Sequence, residues 1–183
     1  MKLITKSIDM PREGSNLLLI SRTRFRMARL FLAPLNLLIH KGFSSHRKGK
    51  TPLGRAMSHL LLNAVEGDYP NILVNPAKAK LSDGLLPTVT MRKVIREGAA
   101  VMLSWDKLHN PDLGASWDDV LIFCAYDIAG ASAAINELGV IRQDGRLTME
   151  LPSGLHGRPV HLYLVVHDRD GVSYSSSVYL GLF

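Results

Sequence analysis

The chain has 183 residues, 46% of them hydrophobic and 21% charged, with one cysteine and a formal net charge of +6 at pH 7. That much apolar material can offset chain entropy, which excludes intrinsic disorder, and a lone Cys124 excludes an internally disulfide-stapled scaffold. The longest apolar stretch, Leu30 to Ile39, is interrupted by Pro34 and Asn36 and falls short of the roughly 20 residues of a membrane span.

The charge divides along the chain. Residues 1–85 carry 14 Lys or Arg against 5 Asp or Glu, while residues 86–183 carry 8 against 11. The opening residues lead into no unbroken apolar segment, because Ser7, Asp9, Arg12 and Glu13 precede Leu17 to Ile20. No secretory signal is read there, and the default location is cytoplasmic.

From Ser21 to His40, Phe25, Ala28, Leu32, Leu35 and Ile39 recur at helical spacing and predict one buried stripe. Arg22, Arg26 and Arg29 share another face. Pro34 should kink or divide this helix, and Gly42 should stop it. A second helix begins at Thr51, a capping residue, with Pro52 at the first helical position. Its stripe is Leu53, Ala56, Met57, Leu60, Leu61 and Ala64, with Gly67 as the stop. His59 and Asn63 fall off that stripe and are expected in solvent. Turn material at Tyr69-Pro70-Asn71 precedes a short strand at Ile72 to Val74, another is read at Lys78 to Leu81, and Asp83-Gly84 reads as a turn or hairpin tip.

Beyond Pro87 the periodicity shortens to two and turns recur every 8–12 residues or so. Seven strands are predicted: Thr88–Ile95, Ala99–Trp105, Asp119–Tyr126, Ala133–Ile141, Arg146–Leu151, Val160–His167 and Val172–Leu182. Gln143-Asp144-Gly145 and Asp170-Gly171 read as hairpin turns. In Val160–His167 the predicted core face is Val160, Leu162, Leu164 and Val166, leaving His161, Tyr163, Val165 and His167 half-exposed. The expected fold is α+β: a basic helical region over residues 1–86 with short strands, then a seven-stranded antiparallel immunoglobulin-like sandwich over 87–183. Val101-x-Leu103-x-Trp105 followed by Val120 to Tyr126 resembles the second and third strands of a fibronectin type III module.

Chemical motifs are sparse. His161 and His167 share a strand face but stand roughly 20 Å apart, too far to share an ion; His109 and His156 lie in loops. Asp168-Arg169-Asp170-Gly171 starts like a calcium loop, yet its twelfth position is Tyr179 rather than glutamate. Gly49-Lys50-Thr51 ends like a phosphate loop, but Ser44 stands where a glycine is required. Ser173 to Ser177 lack a nucleophile elbow, and Cys124 within an apolar strand reads as core. No catalytic residue, metal ligand or cofactor is assigned.

A set of motifs across both halves carries a family resemblance. It runs from Arg24-x-Arg26 through Phe31-Leu32-x-Pro34-Leu35, Gly42-Phe43, Ala56-Met57-Ser58 and Asn63-Ala64-Val65-x-Gly67-x-Tyr69-Pro70. It continues with Asn75, Lys78, Leu81-Ser82-x-Gly84-x-Leu86-Pro87, Leu103-Ser104-Trp105 and Ser177-Val178-Tyr179-Leu180-Gly181. Together these resemble a family of bacterial proteins, chiefly from Bacteroidetes, catalogued as domain of unknown function 6266. The resemblance implies helices followed by a β-sandwich and brings no activity, cofactor or catalytic residue. It covers residues 21–183. Residues 1–20 depart from the Gly-rich, tryptophan-containing opening of the family.

Three functional expectations follow. The first is a non-enzymatic protein-binding or assembly module, with a protein partner or self-association through helix stripes. The second is nucleic-acid binding through a basic surface comprising Arg22, Arg26, Arg29, Arg47, Lys48 and Lys50, residues that also read as a solvated helix face and loop. The third is an enzyme of unknown class using Cys124 or a histidine.

Overall fold

A computed structural model describes residues 13–44, 49–136 and 139–183. The predicted kinked helix forms as α1 (Glu13–Leu32), one 3-10 turn at Ala33–Leu35 and α2 (Asn36–Gly42). Pro34 sits where the regular ladder breaks, as its missing donor requires. Helix α3 (Pro52–His59) starts as predicted, with the Thr51 side chain accepting from the Gly54 amide at 3.0 Å. It then widens into a π turn at Leu60–Ala64 and ends there, short of Gly67, in the strand β1 (Val65–Glu66). That strand pairs with β2 (Leu73–Val74), and Gly67 serves the turn between them at φ +86°. The Tyr69-Pro70 peptide in that connection is cis.

Two expectations in the connecting segment need correction. Pro76–Lys78 is a 3-10 turn, because Asn75 caps it at the Ala77 amide, and no strand forms at Lys78 to Leu81. Asp83-Gly84 is no hairpin tip but part of an extended seam. The Ser82 hydroxyl donates to the Ser175 carbonyl at 2.7 Å, and the Leu81 amide donates to the Ser177 hydroxyl at 2.8 Å. A side chain at Gly84 would place its Cβ 1.9 Å from the Tyr174 carbonyl, and one at Gly42 would meet the Leu81 carbonyl at 2.6 Å. Glycine is what lets three pieces of backbone close there.

The rest of the chain supplies two antiparallel sheets. One has the order β3 (Met91–Glu97), β4 (Ala100–Trp105), β8 (Arg146–Glu150). The other runs β10 (Val178–Leu182), β9 (His161–His167), β5 (Val120–Asp127), β6 (Ser132–Ile135), with β7 (Val140–Ile141) also on β5. The predicted segment Ala133–Ile141 is therefore divided in two. Gln143-Asp144-Gly145 is likewise no hairpin: a 3-10 turn with Gly145 at φ +73° carries the chain from one sheet to the other. Asp170-Gly171 is a turn, closed by the Asp168 carboxylate on the amides of Val172 and Ser173.

The two sheets face each other across Val101, Leu103, Trp105 and Met149 on one side and Leu121, Phe123, Leu162 and Leu164 on the other. The opposite face of the larger sheet is covered as well. Cys124 and Tyr126 from β5, with Tyr163 and Val165 from β9, share a core with Ala28, Phe31, Leu35, Ile39, Ala56 and Leu60 from the helices. The half-exposed face expected for β9 is thus corrected: Tyr163 and Val165 are buried, and only His161 and His167 at its ends reach solvent. The period-2 pattern was read against two layers, whereas the helices add a third. The chain is α+β, and no described helix is long and apolar enough to cross a membrane.

Candidate functional site

Helix α1 is fixed from one side. Ala28, Phe31 and Leu32 are buried under it, and Ile20 and Met27 pack partly against the same core. The Arg24 guanidinium turns inward, where Nη2 donates to the carbonyls of Leu61 and Val65 at 3.0 and 3.1 Å. The first carbonyl belongs to the π turn and the second to the first residue of β1, so Arg24 ties α1 to the point where α3 gives way to strand. Arg24 is a capping residue, not part of a basic surface.

The other side of α1 is open. Leu18 is 60% exposed, Leu19 45%, Phe25 54% and Leu30 57%, and Arg22, Arg26 and Arg29 are exposed among them. Phe25 was expected on the buried stripe; that expectation is corrected. The stripe actually buried runs through Arg24, Ala28 and Phe31, which rotates Phe25 outward. Leu18, Arg22, Phe25 and Arg29 recur at i, i+4, i+7 and i+11, one ridge about 16 Å long. Leu19, Arg26 and Leu30 form a second ridge beside it. None of the three arginines has an ion-pair partner among the described residues. Between Leu17 and Leu32 the sequence has no carboxylate at all. At the foot of the face, Arg29, Leu32, Ala33, Asn36, Leu53 and Met57 line a cleft of about 330 Å³.

The remaining basic candidates lie elsewhere. Lys50 is exposed and lines a separate cleft with Phe43, Arg55, Ser58, His59, Lys80 and Asp83. Arg47 and Lys48 lie outside the described residues.

Cys124 and several of the histidines are engaged within the fold. Cys124 is 0% exposed and burial pushes its thiol pKa up to about 12, so it offers no thiolate to a substrate. Asn63 is exposed as expected, while His59 is half-buried and its ring joins the Lys78 carbonyl and the Asn63 amide. His156 engages the Leu151 carbonyl, and His161 Nδ1 shares a hydrogen bond with the Tyr179 hydroxyl at 2.9 Å. No three His, Cys, Asp or Glu among the described residues are grouped to hold a metal ion.

The buried ion pair of Arg142 and Asp119 gave no signal in the sequence. The Arg142 guanidinium donates to Asp119 Oδ2 at 2.9 and 3.1 Å and to the carbonyls of Ser116, Pro87 and Thr88, while Trp105 Nε1 donates to the Arg142 carbonyl. Each of the three guanidinium nitrogens has an acceptor inside the fold, so the pair serves the structure.

The residues that carry the family resemblance occupy these structural joints. Arg24 caps the π turn, Asn75 and Lys78 hold Glu66, and Gly42, Ser82, Gly84 and Ser177 form the seam. A family model described as Family of unknown function (DUF6266) matches residues 1–181. The chain belongs to this family. The match begins at residue 1, so it extends the resemblance read over residues 21–183 toward the start of the chain. No curated protein and no solved structure matches the chain.

Proposed function

We propose that the chain is a non-enzymatic protein-binding or assembly module that docks through the outer face of α1, carried on an immunoglobulin or fibronectin type III-like sandwich. The observation that carries this reading is the exposure of Leu18, Leu19, Phe25 and Leu30 on a helix whose other side is clamped to the core. Each such side chain, roughly half exposed, forgoes on the order of 1 kcal/mol of burial. A merely solvated face explains the arginines but not the apolar residues interleaved with them. Such a patch on a folded chain marks an interaction site, and aromatic and arginine residues without lysine match the centre of protein interfaces.

The sandwich type is supported by the strand order, with the first, second and sixth strands of this region facing a sheet built on the third, seventh and eighth. A non-enzymatic role is supported by the burial of Cys124 and the engagement of His59, His156 and His161 in internal hydrogen bonds.

The test compares proteins retained by the wild-type chain, expressed in its native host, with those retained by a Leu18→Gln/Phe25→Gln/Leu30→Gln variant. The variant is expected to melt like the wild type and to lose a stoichiometric companion. Identical companions on both chains would overturn the reading.

A further inference from the structure

The open face of α1 has a shape and charge that narrow its occupant. The ridge Leu18, Arg22, Phe25, Arg29 and the parallel ridge Leu19, Arg26, Leu30 leave a straight groove between them, the surface into which a second helix packs its own ridge. The cleft of about 330 Å³ at Arg29, Leu32, Leu53 and Met57 lies between the last turn of α1 and α3. On the docking reading given above, we infer that the occupant is an amphipathic helix of a different protein. It bears Asp or Glu at three- to four-residue spacing to meet Arg22, Arg26 and Arg29, and one bulky apolar side chain to fill the cleft.

The alternatives fit the face less well. A second copy laid on the same face would set arginines against arginines, since no carboxylate lies between Leu17 and Leu32 to answer them. A polyanionic nucleic-acid backbone would pair the guanidinium groups but leave Leu18, Leu19, Phe25 and Leu30 uncovered. Helices that lie in a lipid interface segregate an apolar face from a basic one. Here cation and hydrocarbon alternate along one ridge, so sinking Phe25 between acyl chains would drag Arg22 and Arg29 in with it. An acidic helix satisfies both at once, because each guanidinium takes a carboxylate in two parallel hydrogen bonds while apolar side chains close between them.

The experiment uses the full chain in its native host with Phe25, and separately Leu30, replaced by the photoreactive p-benzoylphenylalanine. After irradiation the attached peptide is sequenced. The expected adduct is a helical segment of another protein with Asp or Glu at three- to four-residue spacing. A synthetic peptide of that segment should bind the wild-type chain roughly tenfold more tightly than an Arg22→Gln/Arg26→Gln/Arg29→Gln variant. An adduct on a protein segment without acidic residues, or on a second copy of this chain, overturns the acidic-helix assignment while leaving the docking reading intact. Adducts on lipid or nucleic acid, or none at either position, overturn both.

Discussion

The hydroxyl of Tyr126, on the central strand of the larger sheet, donates to the main-chain carbonyl of Phe31 at 3.0 Å, and their rings meet edge to face at 5.2 Å. One residue of the sandwich thereby fixes the rotation of α1 about its own axis, and with it the side turned to solvent. Tyr163 repeats the device, donating to the Pro76 carbonyl at 2.9 Å.

Each hydroxyl is accordingly worth a measurable part of the stability. Tyr126→Phe keeps the ring contact but removes the buried hydrogen bond to the Phe31 carbonyl, a loss of about 1 kcal/mol. Denaturant unfolding checks it. In alkaline titration of the folded chain, Tyr126 should stay protonated beyond the ordinary tyrosine range, since burial raises its pKa to about 12.

Arg142 should be the most costly single truncation of a charged residue. Arg142→Ala leaves the Asp119 carboxylate buried without its partner, and removing one member of a buried pair costs about 3–5 kcal/mol. A fall of that size in unfolding free energy, or failure to fold, is expected; a variant within about 0.5 kcal/mol of wild type would contradict the arrangement.

Cys124 should be chemically silent in the native state. With the thiol buried and its pKa raised to about 12, an aromatic disulfide reagent at pH 8 is expected to release no colour until denaturant is added. Prompt stoichiometric reaction would reopen a thiol-based chemistry.

These residues also explain what the sequence made legible. The helix starts and the kink at Pro34 were readable because capping and proline act locally. The sandwich core was readable because strand periodicity is local too. The outer face of β9 was misread because its cover, α1 to α3, comes from some 100 residues earlier in the chain. Phe25 was misread for a related reason. Helical spacing groups residues into stripes, but Tyr126 and the π turn receiving Arg24 decide which stripe faces inward. Arg142 and Asp119 carry no pattern, since their pairing across 23 residues exists only once β7 has paired with β5, with Ile141 opposite Val120.

Stability should fall toward acid in two stages. Burial lowers the pKa of His161 below its ordinary 6.5, against the opposing pull of Asp127. Below pH 6.5 the unfolded chain therefore takes up a proton that the folded chain resists, and stability declines. Glu66 is lowered by Lys78 and Asn75. Asp127 is lowered by the Gly130 amide and, after the opposing effect of burial, by Arg158. Their contributions are present above the ordinary carboxylate range and fade as pH falls through the lowered values. His161→Gln retains a polar partner for the Tyr179 hydroxyl and should flatten the first stage only. Thermal melts between pH 3 and 8 check this, and an unchanged first stage would assign it to another group.

The central claim is that the exposed arginines and apolar residues of α1 serve a partner rather than the fold. Its most direct test is the stoichiometry of the companion protein recovered from the native host with the wild-type chain and with an Arg22→Glu/Arg26→Glu/Arg29→Glu chain of matched melting temperature. The account predicts a companion near one-to-one on the wild type and its loss by about tenfold or more on the charge-reversed chain. Equal recovery of the same companion on both chains would contradict it.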